Sequence, residues 1–168
     1  MKKTAIIYSF NTVKTAKIAE KIKDAFASDD VEMVNAEEIN PSKFTSFDNL
    51  ILGVPTWFDG ELPNYWDEFV PDLEDLNLKG KKIAIFGLGD QKNYGENFCD
   101  GMGIMAEIIE NCNGTVVGHT SVVGYEFEAS KAQRANQFVG LAIDYENQGT
   151  KNKERVSSWV EQLQKDFN

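Results

Sequence analysis

Thr56, Trp57, Phe58, Asp59 and Gly60 follow an apolar run, Leu50–Val54, that Pro55 closes. Proline cannot donate to a sheet ladder, so the strand ends there and the aromatic pair falls in a loop. A flat indole beside a glycine suits a flat aromatic ligand; the other reading of Trp57 is a lid on the core. A second stretch offers donors. Ser9, Asn11, Thr12 and Thr15, with Lys14 among them, separate the apolar run Thr4–Tyr8 from an amphipathic segment. A helix starting there leaves four N–H groups unpaired at the positive end of its dipole, which suits an anion. Asn11 or Thr12 capping that helix is compatible with the same role. A third stretch, Gly87 to Tyr94, joins two glycines, which allow close backbone approach, to another aromatic ring. It is not the dinucleotide fingerprint, because the third glycine is missing.

Other chemistries have little to stand on. His119 is the only histidine, so no His-based triad or zinc site is available. Cys99 and Cys112 lie far apart and give neither a disulfide framework nor metal spacing; Cys112 falls on a helical pattern as buried filler. The formal charge of −10, from 27 acids and 17 bases, opposes nucleic-acid binding. Such a surface either serves solubility alone or steers basic partners. No apolar run approaches the roughly 20 residues of a membrane span. The start MKKTAIIYSF has no small-residue cleavage site, so it reads as the first strand of a cytoplasmic protein. With 168 residues, 42% of them hydrophobic, the expectation is a single domain, residues 1–168, around a substantial core.

The elements that position these stretches are legible as periods. Strands are expected at Thr4–Tyr8, Val31–Asn35, Leu50–Val54 and Lys82–Phe86, with a fifth starting at Thr115–Gly118. Ile18, Ile22 and Phe26 mark a helix starting near Thr12 or Val13. Asn40-Pro41 caps and opens a short one. Pro63 starts another, with Trp66, Phe69 and Leu73 inward. Asn97–Asn111 is a fourth, ended by Asn113-Gly114. Lys151–Phe167 is the last, with Val156, Trp159, Val160, Leu163 and Phe167 as its inner stripe. His119–Gln137 holds no sustained period, and Phe138–Ile143 then resumes as a strand. This reads as a last strand split by an insertion of roughly 20 residues, a length that usually has a job. Strands alternating with helices give an α/β fold, a three-layer sandwich on a five-stranded parallel sheet of order 2-1-3-4-5. Ligands of such sheets sit at the carboxyl edge where the order reverses. Ser9–Thr15, Pro55–Glu61 and Gly87–Tyr94 converge there. An anion site with two aromatic plates describes a mononucleotide, and a flavin better than an adenine.

PTWFDGE (Pro55–Glu61), FGLGDQKNYGENFCD (Phe86–Asp100), GYEFEASKA (Gly124–Ala132), FVGLAID (Phe138–Asp144) and the final helix around Ser158-Trp159-Val160 occur in order. Together they resemble the long-chain flavodoxins over essentially the whole chain. The resemblance implies a low-potential one-electron carrier, not an enzyme, holding FMN non-covalently. It is expected to be monomeric and to shuttle electrons between a basic reductase and acceptor enzymes in transient contacts. Trp57 and Tyr94 would sandwich the isoalloxazine. Ser9, Phe10, Asn11, Thr12, Val13, Lys14 and Thr15 would form the phosphate loop. Pro55, Thr56, Phe58, Asp59 and Gly60 would border the ring or ribityl chain. So would Leu88, Gly89, Asp90, Asn97, Phe98 and Cys99, and Glu146 would reach the ribityl hydroxyls. Gly60 would let the Phe58–Asp59 peptide turn its carbonyl toward an N–H of the reduced flavin. The insertion matches the extra loop of the long-chain type.

The chain departs from the family's phosphate loop, Ser/Thr-x-Thr-Gly-x-Thr, by reading Phe10-Asn11-Thr12-Val13-Lys14-Thr15. Phe10 removes a hydroxyl, and a lost hydrogen bond to a charged group is worth about 1.5–3 kcal/mol. Ser9 could substitute by a shift of one residue. Val13 would be strained if its φ had to be positive. Weaker FMN binding is therefore expected. Asp59 is expected to keep the potential low. A carboxylate about 8 Å from a developing negative charge costs about 2 kcal/mol at an effective dielectric near 20, or roughly 90 mV. Three rivals remain. An FMN-dependent NAD(P)H oxidoreductase would need a nicotinamide pocket, for which no stretch is evident. A phospho-acceptor signalling module would need paired acids where Ser9-Phe10-Asn11 stand. A degenerate member would have weak or no FMN binding.

Overall fold

A computed structural model describes residues 3–168; Met1 and Lys2 of the N-terminal run lie outside the described residues. β1 (Thr4–Tyr8) and β3 (Asn49–Gly53) are buried along their whole length. Their apolar residues are continuous rather than alternating because helices cover both faces. β1 sits between β2 (Val31–Asn35) and β3, β4 (Lys82–Leu88) follows β3, and β5 (Thr115–Val117) closes the order, all parallel. The order 2-1-3-4-5 is therefore as expected.

The split in the last strand is literal. β5 pairs with Lys82–Ala84 of β4, and β9 (Leu141–Ile143) pairs with Phe86–Leu88. Between them β6 (Thr120–Ser121), β7 (Gln133–Arg134) and β8 (Gln137–Phe138) form a small antiparallel sheet of order β6-β8-β7. Phe138 thus belongs to the insertion, and re-entry starts only at Leu141. Gly87 and Leu88 belong to β4 rather than to the loop after it, because β9 supplies a partner for them.

Alternate residues of each strand feed two cores. Ile6, Tyr8, Ile51 and Phe86 pack against α1 (Lys14–Phe26) and α6 (Asn152–Asp166), through Ile18, Ile22, Trp159 and Leu163. Ala5, Ile7, Leu50 and Leu52 face α2 (Pro41–Thr45), α3 (Asn64–Glu74) and α4 (Asp100–Asn111), through Phe44, Trp66, Phe69 and Met102. Both fully buried indoles find acceptors: Trp66 Nε1 donates to Gly53 O at 2.9 Å and Trp159 Nε1 to Gly118 O at 2.8 Å. Asn40 caps α2 as expected, its Oδ1 accepting from Lys43 N–H.

One helix start and one helix cap differ from expectation. α4 begins at Asp100 rather than Asn97, because Cys99 is left-handed (φ 54°) and Phe98 is extended. α1 begins at Lys14, and neither Asn11 nor Thr12 caps it; Val13 holds the cap position with no side-chain bond.

Candidate functional site

A cleft of about 740 Å³ opens at the carboxyl ends of β1, β3 and β4. Thr12, Val13, Lys14 and Thr15 form one wall, and Pro55, Thr56, Trp57 and Phe58 a second. Leu88, Gly89, Asp90, Tyr94 and Asn97 form the third. The three loops therefore meet as expected. α5 (Tyr145–Gln148) closes the cleft with Tyr145 and Glu146.

The N-terminal wall derives from the entry into α1. Lys17 N–H is the first to find a helical acceptor, Val13 O at 3.1 Å. The N–H groups of Val13, Lys14, Thr15 and Ala16 precede that bond and have no acceptor among the described residues, as at any helix start. Thr15 is buried, and no acid stands in this first turn. The donor set suits an anion, and Lys14 adds charge, its ammonium paired with Glu146 and 5.9 Å from the Tyr145 ring centroid.

Three residues of this loop face elsewhere. Ser9 is 1% exposed, and its Oγ accepts from Asn11 N–H at 3.2 Å, so it does not substitute for a hydroxyl at position 10. The Asn11 amide donates to Glu37. The Phe10 ring leans on Tyr8 with centroids 5.0 Å apart, and its N–H donates to Asn35 Oδ1. Thr12 lines the cleft, but its hydroxyl proton goes to Ser9 O at 2.7 Å. Val13 has φ −99°, so the expected strain is absent.

In the second wall, Trp57 and Glu61 exchange two backbone hydrogen bonds of 2.8 Å, which turns Phe58-Asp59-Gly60 into a tight tip. Phe58 is left-handed (φ 51°) and 72% exposed. Gly60 has φ 93°, and a Cβ there would lie 2.6 Å from Asp100 Oδ2, so both backbone and packing require glycine. Trp57 is half-buried and meets Phe58 and Tyr65 edge-on, at 6.4 and 5.8 Å. Thr56 Oγ1 accepts from Gly101 N–H at 2.9 Å and so joins this loop to α4. Asp59 is exposed at the tip and does not line the cleft.

The third wall is organised by Asp90. Its carboxylate accepts from Lys92 N–H, Asn93 N–H and the amides of Asn93 and Asn147. Burial raises its pKa, but these hydrogen bonds outweigh it and hold the group below the usual carboxylate range. Gly87 and Gly89 admit a close approach, as expected, and the neighbours that make it are side chains of the core, while Gly89 still lines the cleft. A Cβ on Gly87 would lie 2.5 Å from Met102 and one on Gly89 2.7 Å from Phe98, so both admit the α4 side of the core. Phe98 and Cys99 are correspondingly fully buried away from the cleft. Phe98 stacks on Phe127 at 5.3 Å, and burial, with Asp144 and Asp100 nearby, pushes the Cys99 thiol well up. Tyr145 is the wall residue that sequence reasoning missed; its signal was its place directly after the apolar run ending in Asp144, at the same sheet edge.

The flavodoxin family profile matches residues 6–159. A flavodoxin of Synechococcus elongatus is 42% identical over 168 residues, 99% of each chain. Flavodoxin 1 of Escherichia coli is 39% identical over 165 residues, 98% of this chain and 94% of that one. Among solved structures, Fusobacterium nucleatum flavodoxin bound to flavin mononucleotide superposes with a TM-score of 0.94 at 33% identity, covering 100% of both chains. Sheet order, split fifth strand and rim cleft agree with these similarities, and the chain belongs to the flavodoxin family.

Proposed function

We propose that this chain is a low-potential one-electron carrier that holds FMN non-covalently in the cleft, working as a monomer in the cytoplasm. The observation that carries the reading is the meeting, in one cleft, of two aromatic rings with a helix start whose donors have no acceptor. When bound, FMN supplies the electron chemistry. Trp57 and Tyr94 would cover the two faces of the ring and exclude water from them. The N–H groups of Val13 to Ala16 and the Thr15 hydroxyl would hold the phosphate, with Lys14 offsetting its charge. Glu146 would hold Lys14 rather than reach the ribityl hydroxyls, since the two are paired. The excess of 27 acids over 17 bases opposes added negative charge and attracts reductases and acceptors with basic docking faces. Such contacts weaken with salt.

The purified protein is expected to be yellow, and the apoprotein to take up one equivalent of FMN. A preparation that stays colourless with excess FMN, or one that oxidises NADPH unaided, would overturn the reading.

Because Val13 is unstrained and the Phe10 side chain leans on Tyr8 outside the cleft, Val13→Gly and Phe10→Ser are each expected to leave the Kd for FMN within about twofold. Fluorescence titration checks both; a gain from Val13→Gly would reinstate strain, and a gain from Phe10→Ser a missing donor, as a cause of weaker binding. The exposed Asp59 acts through water. At an effective dielectric near 80 the same ~8 Å separation is worth about 0.5 kcal/mol, or roughly 20 mV rather than 90. Asp59→Asn is expected to raise the more negative reduction potential by about that amount, and a redox titration showing a fall would reject it.

A further inference from the structure

Asp144 is fully buried at the end of β9, and no lysine or arginine among the described residues pairs with it. Burying a carboxylate without a counter-ion is costly unless hydrogen bonds replace its water. Here neutral donors replace it. Gln91 N–H and Nε2 donate to Oδ2 at 3.0 and 2.7 Å. Asn147 N–H donates to Oδ1 at 3.0 Å, and its Nδ2 is shared between both oxygens at 3.1 and 2.9 Å. An ordinary helix cap would account for the Asn147 N–H bond alone. The other bonds reach further. Gln91 Oε1 accepts from Glu126 N–H in the insertion, and Asn147 Nδ2 also donates to Asp90 Oδ1 at 2.8 Å. Asp90 in turn receives Asn93 N–H through its side chain and Tyr94 N–H through its carbonyl. The insertion is pinned to the same place twice more, by Tyr125 Oη donating to Ala142 O at 2.6 Å and Gln148 Nε2 donating to Gly124 O at 2.9 Å.

We infer that Asp144, with Gln91 as its clamp, is a positioning residue of the cofactor cleft: it fastens the inserted segment to the loop that presents Asp90 and Tyr94. The insertion then serves as a brace for the ring side of the site. This rests on the FMN reading above, and the two fail separately.

The experiment compares wild type, Asp144→Asn, Gln91→Met and the double variant. In Asp144→Asn an amide NH₂ faces donors on every side. In Gln91→Met the carboxylate and its Asn147 bonds remain, which keeps the question answerable should the first variant fold poorly. FMN and riboflavin affinities are both expected to fall about tenfold or more, because the ring wall rather than the phosphate wall is loosened. The double variant is expected to bind no more weakly than the weaker single one, since the two residues act as one unit. In the apoproteins, amide exchange at Asn93 and Tyr94 is expected to speed up at least tenfold, with β1 and β3 unchanged. A wild type that binds no FMN would sink the carrier reading. Wild-type binding with unchanged affinity and exchange in both variants would overturn the inference. So would exchange that quickens equally throughout the sheet, which would make Asp144 a general fold residue.

Discussion

Tyr94→Ala is expected to raise the Kd for FMN about 10- to 100-fold while leaving the apoprotein as stable as before. Stacking of a flat heterocycle on an aromatic side chain is worth about 1–3 kcal/mol by alanine substitution. Tyr94 is 59% exposed and makes no ring contact with another aromatic among the described residues, so its removal costs the fold little. Trp57→Ala is expected to weaken binding as much but to lower stability too. Its indole is half-buried against Tyr65, whose phenol is already buried without a hydrogen-bond partner and pushed well above its usual pKa by burial and by Glu37. The two losses should add to less than their sum, because each plate holds the ring against the other. Linkage supplies a second readout. FMN at 100 times its Kd stabilises the fold by about 2.7 kcal/mol, and a tenfold weaker site leaves about 1.4. That difference lowers the melting temperature of the loaded Tyr94→Ala protein by roughly 3–5 °C, with the apoprotein unmoved. A Tyr94→Ala protein that binds FMN as tightly as wild type would remove one plate from the proposed site.

What was legible in the chain, and what was not, divides along a physical line. The sheet order and the meeting of three loops follow from short apolar runs alternating with amphipathic segments, a pattern that survives without knowledge of contacts. The individual roles within the loops depend on partners distant in sequence. Asn11 looks like a phosphate donor until Glu37, 26 residues on, takes its amide. Ser9 looks available until burial and Asn11 N–H occupy it. The glycines at 87 and 89 signal a close approach, but the sequence does not say that Met102 and Phe98 are what approaches. The late start of α4 turns on a left-handed Cys99, a conformation that no local pattern announces for a non-glycine residue. The small sheet of the insertion was invisible because two-residue strands have no period to read.

Gly140 shows how tightly that insertion is tied to the cleft. A Cβ built there would lie 1.9 Å from Ile85 O of β4 and 3.2 Å from the Met102 methyl. The first neighbour is backbone in the middle of the sheet, so no rotamer change relieves the contact, and either β4 or β9 must move. Thr120 Oγ1 also holds the Gly140 carbonyl at 2.6 Å, which opposes a rotation of the chain away from β4. Gly140→Ala is therefore expected to cost about 3 kcal/mol or more, at the upper end of overpacking effects. Gly80→Ala is the fitting control. Its φ of 86° disfavours alanine, but no atom lies within 4 Å of the added Cβ, so it is expected to cost only about 1–2 kcal/mol. Urea unfolding of the two apoproteins measures the contrast. The larger loss should reach the cofactor as well, because β9 pairs Ala142 with Gly87 and Ile143 with Leu88, immediately before the Gly89–Asp90 wall. Gly140→Ala is then expected to lose FMN affinity where Gly80→Ala keeps it. Equal costs in the two proteins, with FMN held equally well by both, would mean that β9 can re-enter the sheet without a bare backbone at 140.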